Sequence, residues 1–166
     1  MEKESPQYIL RGIYVRESQL FMKDDFDPLS VGSDLVGKFR IISQNVSLRE
    51  EITENEEKNI YCAFTTHFQF GYSEENINNE VEEAELDPEF LTSISLKISV
   101  DYKINNGISP SQEDIQKWGT TNVLLHSWPY WREYCHSMQM RMNIPTQIMP
   151  LWNFPLPSDG KPPESD

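Results

Sequence analysis

The sequence predicts an α+β protein: a four-stranded antiparallel sheet, meander or Greek-key-like, with a short helix and a long kinked helix packed on one face. Three observations predict it. Two runs alternate apolar and polar side chains with the period of a strand, Ile60 to Tyr72 and Ile94 to Ile104. The connections among the first four apolar runs carry no helical pattern, so neighbouring strands must be antiparallel, because parallel neighbours need crossover helices. After them, Leu124, Trp128, Trp131, Cys135, Met138 and Met142 step by four and three residues, the spacing of one helix face.

The elements follow in order. Between Tyr8 and Met22 the residues Ile9, Ile13, Val15 and Leu20 make a first strand without a helical stripe, and DDFDPLSVGSD punctuates the chain behind it. Phe39 and Ile41, then Val46 and Leu48, form a second long strand whose alternation changes phase, which predicts a bulge or twist near Ser43 to Asn45. The third strand sets Ile60, Cys62, Phe64, Phe68, Phe70 and Tyr72 on one side and Ala63, Thr65, His67 and Gln69 on the other. The acidic connector EENINNEVEEAELDPEF leads to the fourth, ISLKISVDYKI. Ser109, Pro110 and Gln112 then read as N-cap, first helical position and capping box of a short helix that Gly119 can end. A longer helix starts near Thr121. Pro129 removes its hydrogen bond to the Leu125 carbonyl and predicts a kink, at a cost of about 3 kcal/mol where packing does not compensate. Tyr130 and Tyr134 widen the apolar stripe. Residues 1–156 are expected to form one domain and the polar, proline-rich residues 157–166 a disordered tail.

Composition narrows the function. With 14 basic and 27 acidic side chains the net charge is −13, and such a field repels nucleic acid and anionic lipid, so neither partner is expected. The 41 Leu, Ile, Val and Phe residues suffice for a core. No apolar run approaches the roughly 18 residues of a membrane span, and MEKESPQY lacks the apolar centre of a signal peptide. A cytoplasmic protein with reduced thiols at Cys62 and Cys135 is expected. His126 and His136 stand ten positions apart, out of phase for a helical zinc pair, and the acidic run from Glu74 to Asp87 lacks the spacing of a calcium loop. Neither metal nor cofactor is expected. No nucleophile elbow, phosphate loop or dinucleotide fingerprint occurs, so no enzymatic activity is expected.

One helix segment resembles a known family. WPYWREYCHSMQMRMNIP carries Pro129, Tyr130, Arg132, Glu133, Ser137, Met138, Arg141 and Pro145 at the positions of the motif in the long helix of the SecB family of export chaperones. Asn153 and Phe154 match the segment that leaves that helix, and Ile13, Tyr14, Arg16 and Glu17 match the family's first strand. The resemblance implies a dimer of dimers assembled through the helices, which holds unfolded or partly folded client proteins without ATP. It extends to members of the superfamily that serve one antitoxin or a phage-defence system. Two departures stand out. Trp131 occupies a position where the family has a small residue, and only PLPSDGKPPESD follows Phe154, with no second C-terminal helix. That helix and tail engage the SecA motor in the family, so the resemblance does not carry SecA contact onto this chain.

Client contact is expected at Phe39, Ile41, Phe68, Phe70, Met149, Trp152 and Phe154, where aromatic rings and flexible thioethers suit varied apolar partners. For Phe64, Phe68 and Phe70 an ordinary buried sheet face is favoured over a client groove. Subunit contact is expected along Leu124, Trp128, Trp131, Cys135, Met138 and Met142, a stripe that also fits a core. The alternative function is a scaffold subunit that binds one fixed protein partner without general chaperone activity.

Overall fold

A computed structural model describes residues 5–29, 35–54, 58–74, 90–105 and 107–151. Four strands, β1 (Tyr8–Met22), β2 (Leu35–Ile52), β3 (Lys58–Glu74) and β4 (Thr92–Ile104), precede two helices, α1 (Gln112–Trp118) and α2 (Leu124–Arg141). The strands form one antiparallel sheet in the order β1-β4-β3-β2. Of the two expected topologies the Greek-key-like one is present: β2, β3 and β4 are successive neighbours, and β1 lies on the far side of β4.

Alternation decides which side of the sheet is buried. The even-numbered residues of β4 and their cross-strand partners on β3 face the helices, and Phe64, Phe68, Ile94, Leu96, Ile98, Val100 and Tyr102 are buried there. α2 closes this layer with Trp128 and Trp131. Trp131 stacks on Phe68 with ring centres 5.5 Å apart, and Trp128 meets Phe39 edge-on at 5.1 Å. The opposite face is polar, with Thr65 paired to Ser99 and His67 to Ser95 through contacts of 2.6 Å.

The phase changes in the edge strands are bulges. Arg11 and Arg16 are extra residues in β1, and Ile42 is the extra residue in β2, just ahead of the stretch where one was expected. Because of the two β1 bulges, Leu10, Ile13, Val15 and Leu20 all sit opposite buried β4 residues, on the helix side, despite their mixed parity.

Three local expectations are corrected. The N-cap of α1 is Ser111 rather than Ser109: its Oγ accepts from the Asp114 N–H at 3.2 Å, and its own N–H donates to Asp114 Oδ2 at 2.9 Å. Asp114 stands three residues after Ser111 and closes the box; Pro110 precedes the cap. Gly119 does not end the helix. It keeps a right-handed helical conformation (φ −62°), and the chain runs on through a wide π turn, Gly119–Val123, into α2, which starts at Leu124 rather than Thr121. What Gly119 supplies is room: a Cβ there would come 2.5 Å from Gln44 Oε1, whose amide donates to the Gly119 carbonyl at 3.1 Å. α2 continues through Pro129 and ends in a Schellman motif at Asn143, a left-handed residue (φ 56°), with the Ile144 N–H donating to the Gln139 carbonyl.

Candidate functional site

A single helix with side chains is about 10 Å wide, whereas four strands at about 4.8 Å spacing span about 14 Å between the outer two. One long helix therefore leaves the edges of a four-stranded sheet bare. α2 lies over β4 and β3, and the exit segment after it covers the first part of β2. On the helix side of β1, Leu10, Val15 and Leu20 remain 43%, 56% and 48% exposed although each is registered with a buried core residue, Tyr102, Ile98 and Ile94. On β2 the same holds for Val46 and Leu48, registered with Phe64 and Cys62, and Ile52 at the strand end is exposed too. Two apolar strips thus flank the helix layer, both on edge strands whose outer backbone groups have no neighbour within the sheet.

The exit segment shows how this protein holds an extended chain. Pro145 to Leu151 runs beside α2, and its carbonyls are caught by side chains: Pro145 by Tyr72 Oη–H at 2.7 Å, Met149 by Arg132 Nε–H at 3.0 Å, and Pro150 by Trp128 Nε1–H at 3.0 Å. The buried Gln139 amide holds Gln147 at both its N–H and its carbonyl. Ile144 and Met149 insert beneath, and Gln147 lies on Gly37, where a Cβ would overlap it. Arg132, singled out by the family motif, thus has a local task as a main-chain clamp.

These positions alter the expected site. Phe68 and Phe70 are buried and cannot meet a client; Phe39 and Ile41 are half-buried against the core; Met149 is covered. Trp152 and Phe154 lie outside the described residues, as do the tail and most of the acidic connector. Leu124, Trp128, Trp131 and Cys135 face the sheet of their own chain and are buried there, while Met138 and Met142 are partly buried on the same core. The stripe is the inner face of the only long helix among the described residues, and the sheet covers it. The outer face of α2 carries Leu125, Tyr130 and Met140, each at least half exposed. Sequence reasoning missed Leu125 and Met140, together with the bare strips, and assigned Tyr130 to the inner stripe, whereas it is 52% exposed on the outer face. The available signal was the count of helices against strands.

Titratable groups near the core are shifted by burial. The Cys62 thiol is pushed up to about 12 and Cys135 to about 11, so both stay protonated at neutral pH. Tyr102 Oη lies 2.7 Å from His126 Nδ1, and burial holds His126 below the usual imidazole range. His67 is lowered as well, first by burial and then by Lys97. The folded state therefore favours neutral imidazoles, and as the pH drops below about 6.5 the unfolded chain takes up protons first. Stability is lost through that window. Between about pH 7.5 and 5.5 the thermal midpoint of the parent should fall more steeply than that of a His67→Gln/His126→Gln variant. Equal slopes would contradict the burial of both rings.

Among the described residues no helix is long and apolar enough to cross a membrane, and no cluster of three or more His, Cys, Asp or Glu side chains is placed to hold a metal ion. No family model matches the chain, and no curated protein matches its sequence. A solved structure does match in fold, the SecB-like chaperone of Mycobacterium tuberculosis in complex with a peptide from an antitoxin. The TM-score is 0.55 at 12% sequence identity, and the match covers 90% of this chain and 93% of that one. A bulged Greek-key sheet, one helix layer and near-complete coverage together give this chain the fold of a SecB-like chaperone.

Proposed function

We propose that the protein is an ATP-independent chaperone that holds non-native polypeptide on the bare apolar strips of its edge strands and performs no catalysis. The carrying observation is the strip Leu10, Val15 and Leu20, half exposed on the side of the sheet that is otherwise core. An extended client segment laid along β1 covers these side chains and meets the open edge of the strand, so apolar contact and main-chain hydrogen bonding act together. The net charge of −13 keeps such particles apart while their apolar surface is open. The similarity in fold to a chaperone seen with an antitoxin peptide supports a client presented as a short segment of one dedicated partner; a role in export uses the same surface. Protomers pair through the outer face of α2, with Leu125, Tyr130 and Met140 as contacts, and the protein works in the cytoplasm.

Light scattering combined with an aggregation assay on several unrelated denatured proteins tests the proposal. Suppression of aggregation by particles that are multiples of the 19.4 kDa chain is the expected result. A monomer that suppresses nothing would overturn both assembly and holding. Stable binding of one folded partner, with no suppression of aggregation of any denatured protein, that partner included, would establish the scaffold instead.

A further inference from the structure

The sheet face turned away from the helices carries charge of the opposite sign to the chain as a whole. Lys38, Arg40 and Arg49 of β2 and Lys97 and Lys103 of β4 point to it by register. Arg11 and Arg16, the two bulge residues of β1, reach it as well: Arg11 lies over the Tyr61 ring, and Arg16 lies over Tyr14 and donates from Nε to Ser99 Oγ at 3.0 Å. Among the described residues, seven of the chain's 14 basic side chains thus share one face with only three of its 27 acidic ones, Glu17, Glu51 and Asp101. Those three are already engaged, Glu17 with Lys97 at 2.6 Å, Glu51 with Arg49 at 3.2 Å, and Asp101 with the Tyr14 hydroxyl. A local positive excess therefore stands on a protein whose net charge is −13.

The shape of the face matches its charge. Thr65, Ser95 and Ser99 put small hydroxyl side chains in the middle of the central strands, Lys97 and Lys103 rise between and beyond them on β4, and the other long basic side chains rise from the edge strands on either side. At one end Arg11 and Arg49 both lie over the Tyr61 ring, 4.7 and 5.1 Å from its centre, which sets two cations no more than about 10 Å apart, with Glu51 paired to Arg49 and Asp101 registered with Gly12, the next residue after Arg11. Like charges brought this close are relieved by an anion seated between them, and guanidinium groups accept carboxylates in a bidentate fork.

We propose that this face docks an acidic, extended segment of a partner protein. The basic residues run from Lys38, registered with Gly71, to Arg49, registered with Tyr61, ten residues along β3 or about 33 Å, which is the length of about ten extended residues. A short acidic peptide lies wholly within this zone. A nucleic acid strand that runs past it meets the remaining 24 acidic side chains, which outnumber the seven remaining basic ones, so the field beyond the face repels a long polyanion. This surface is separate from the apolar strips, which lie on edge strands but on the helix side.

The test is fluorescence anisotropy of a labelled ten-residue peptide of alternating Ser and Glu with the full chain, at about 50 mM salt and again at about 200 mM. Binding that weakens with salt is expected. In an Arg11→Gln/Arg16→Gln/Lys103→Gln variant the affinity should drop at least about tenfold, whereas Lys117→Gln, on the exposed side of α1, should leave it unchanged. Aggregation suppression should persist in both variants, so loss of acidic-peptide binding and loss of client holding are read separately. A thermal melt checks the fold of the triple variant, and Lys38→Gln/Lys103→Gln gives the same reading if the triple variant does not fold. Absence of binding, equal binding of a Ser-Gly peptide, or an unaffected variant would overturn the proposal. Tighter binding of a ten-nucleotide oligodeoxythymidylate would do so as well, by assigning the face to nucleic acid.

Discussion

Trp131→Ala should lower the free energy of unfolding by about 3–5 kcal/mol in a urea titration, a large share of the about 5–15 kcal/mol that holds a domain of ordinary stability. The indole is 0% exposed, stacks on Phe68 at 5.5 Å and lies 6.1 Å from Phe39, so its removal opens a cavity at the junction of α2, β3 and β2 that no neighbour can fill. Trp131→Phe should cost much less. The Trp131 Nε1–H is buried and has no acceptor among the described residues, and the smaller ring removes that unpaired donor along with the volume. Trp128 behaves differently because its Nε1–H holds the Pro150 carbonyl. Trp128→Phe keeps most of the packing and loses the clamp, so faster amide exchange in residues 145–151 is the expected signature, with a global loss of about 1 kcal/mol. If Trp131→Ala were as stable as the parent, the seating of α2 on the sheet would be wrong.

Much of this fold is legible in the sequence, for a physical reason that also marks where legibility stops. β3 and β4 are central strands with one face on the core, so parity in the sequence maps directly onto burial: the apolar set from Ile94 to Ile104 is buried without exception. α2 is legible because apolar residues three and four apart gather on one side only when the backbone is helical. The bulges at Arg11, Arg16 and Ile42 leave only a phase change, since none is a glycine that would mark its place. Ser109 and Ser111 both offer a cap, and only the reach of Asp114 selects one. Gly119 reads as a stop, yet glycine ends a helix by adopting a left-handed conformation, and here it is used for contact with Gln44.

The candidate site was less legible than the fold because residue type reports what can be buried, not what is left uncovered. Phe68, Phe70 and Trp131 are among the largest apolar groups and so attract a functional reading, but large rings are also the most effective at filling a core, and all three lie within it. The open surface falls instead to medium-sized residues on edge strands, where a four-stranded sheet outruns its single long helix. Charge follows the same logic. A net charge of −13 reads as uniformly acidic, while strand parity sorts half of the basic residues onto one face, and that sorting emerges only once the register and the bulges are known.

Replacing the β1 strip should remove client holding while leaving the chain folded. In a Leu10→Thr/Val15→Thr/Leu20→Thr variant, threonine keeps the preference for extended backbone and withdraws apolar surface. Complete burial of such side chains is worth about 1.5–3 kcal/mol each. They are already about half covered by their own chain, so contact with a client adds about 1 kcal/mol apiece. Together that is about 3 kcal/mol, on the order of a hundredfold in affinity for an unfolded segment. Aggregation suppression should therefore need on the order of a hundredfold more of the variant. Its circular dichroism and the cooperativity of its unfolding should match the parent, because Ile13 and the β4 side chains beneath the strip remain in place. The mass measured by light scattering separates client contact from subunit contact: assembly through the outer face of α2 predicts an unchanged mass. A variant that falls to a monomer yet protects clients as well as the parent would show that the strip joins protomers, and the holding surface would have to lie elsewhere.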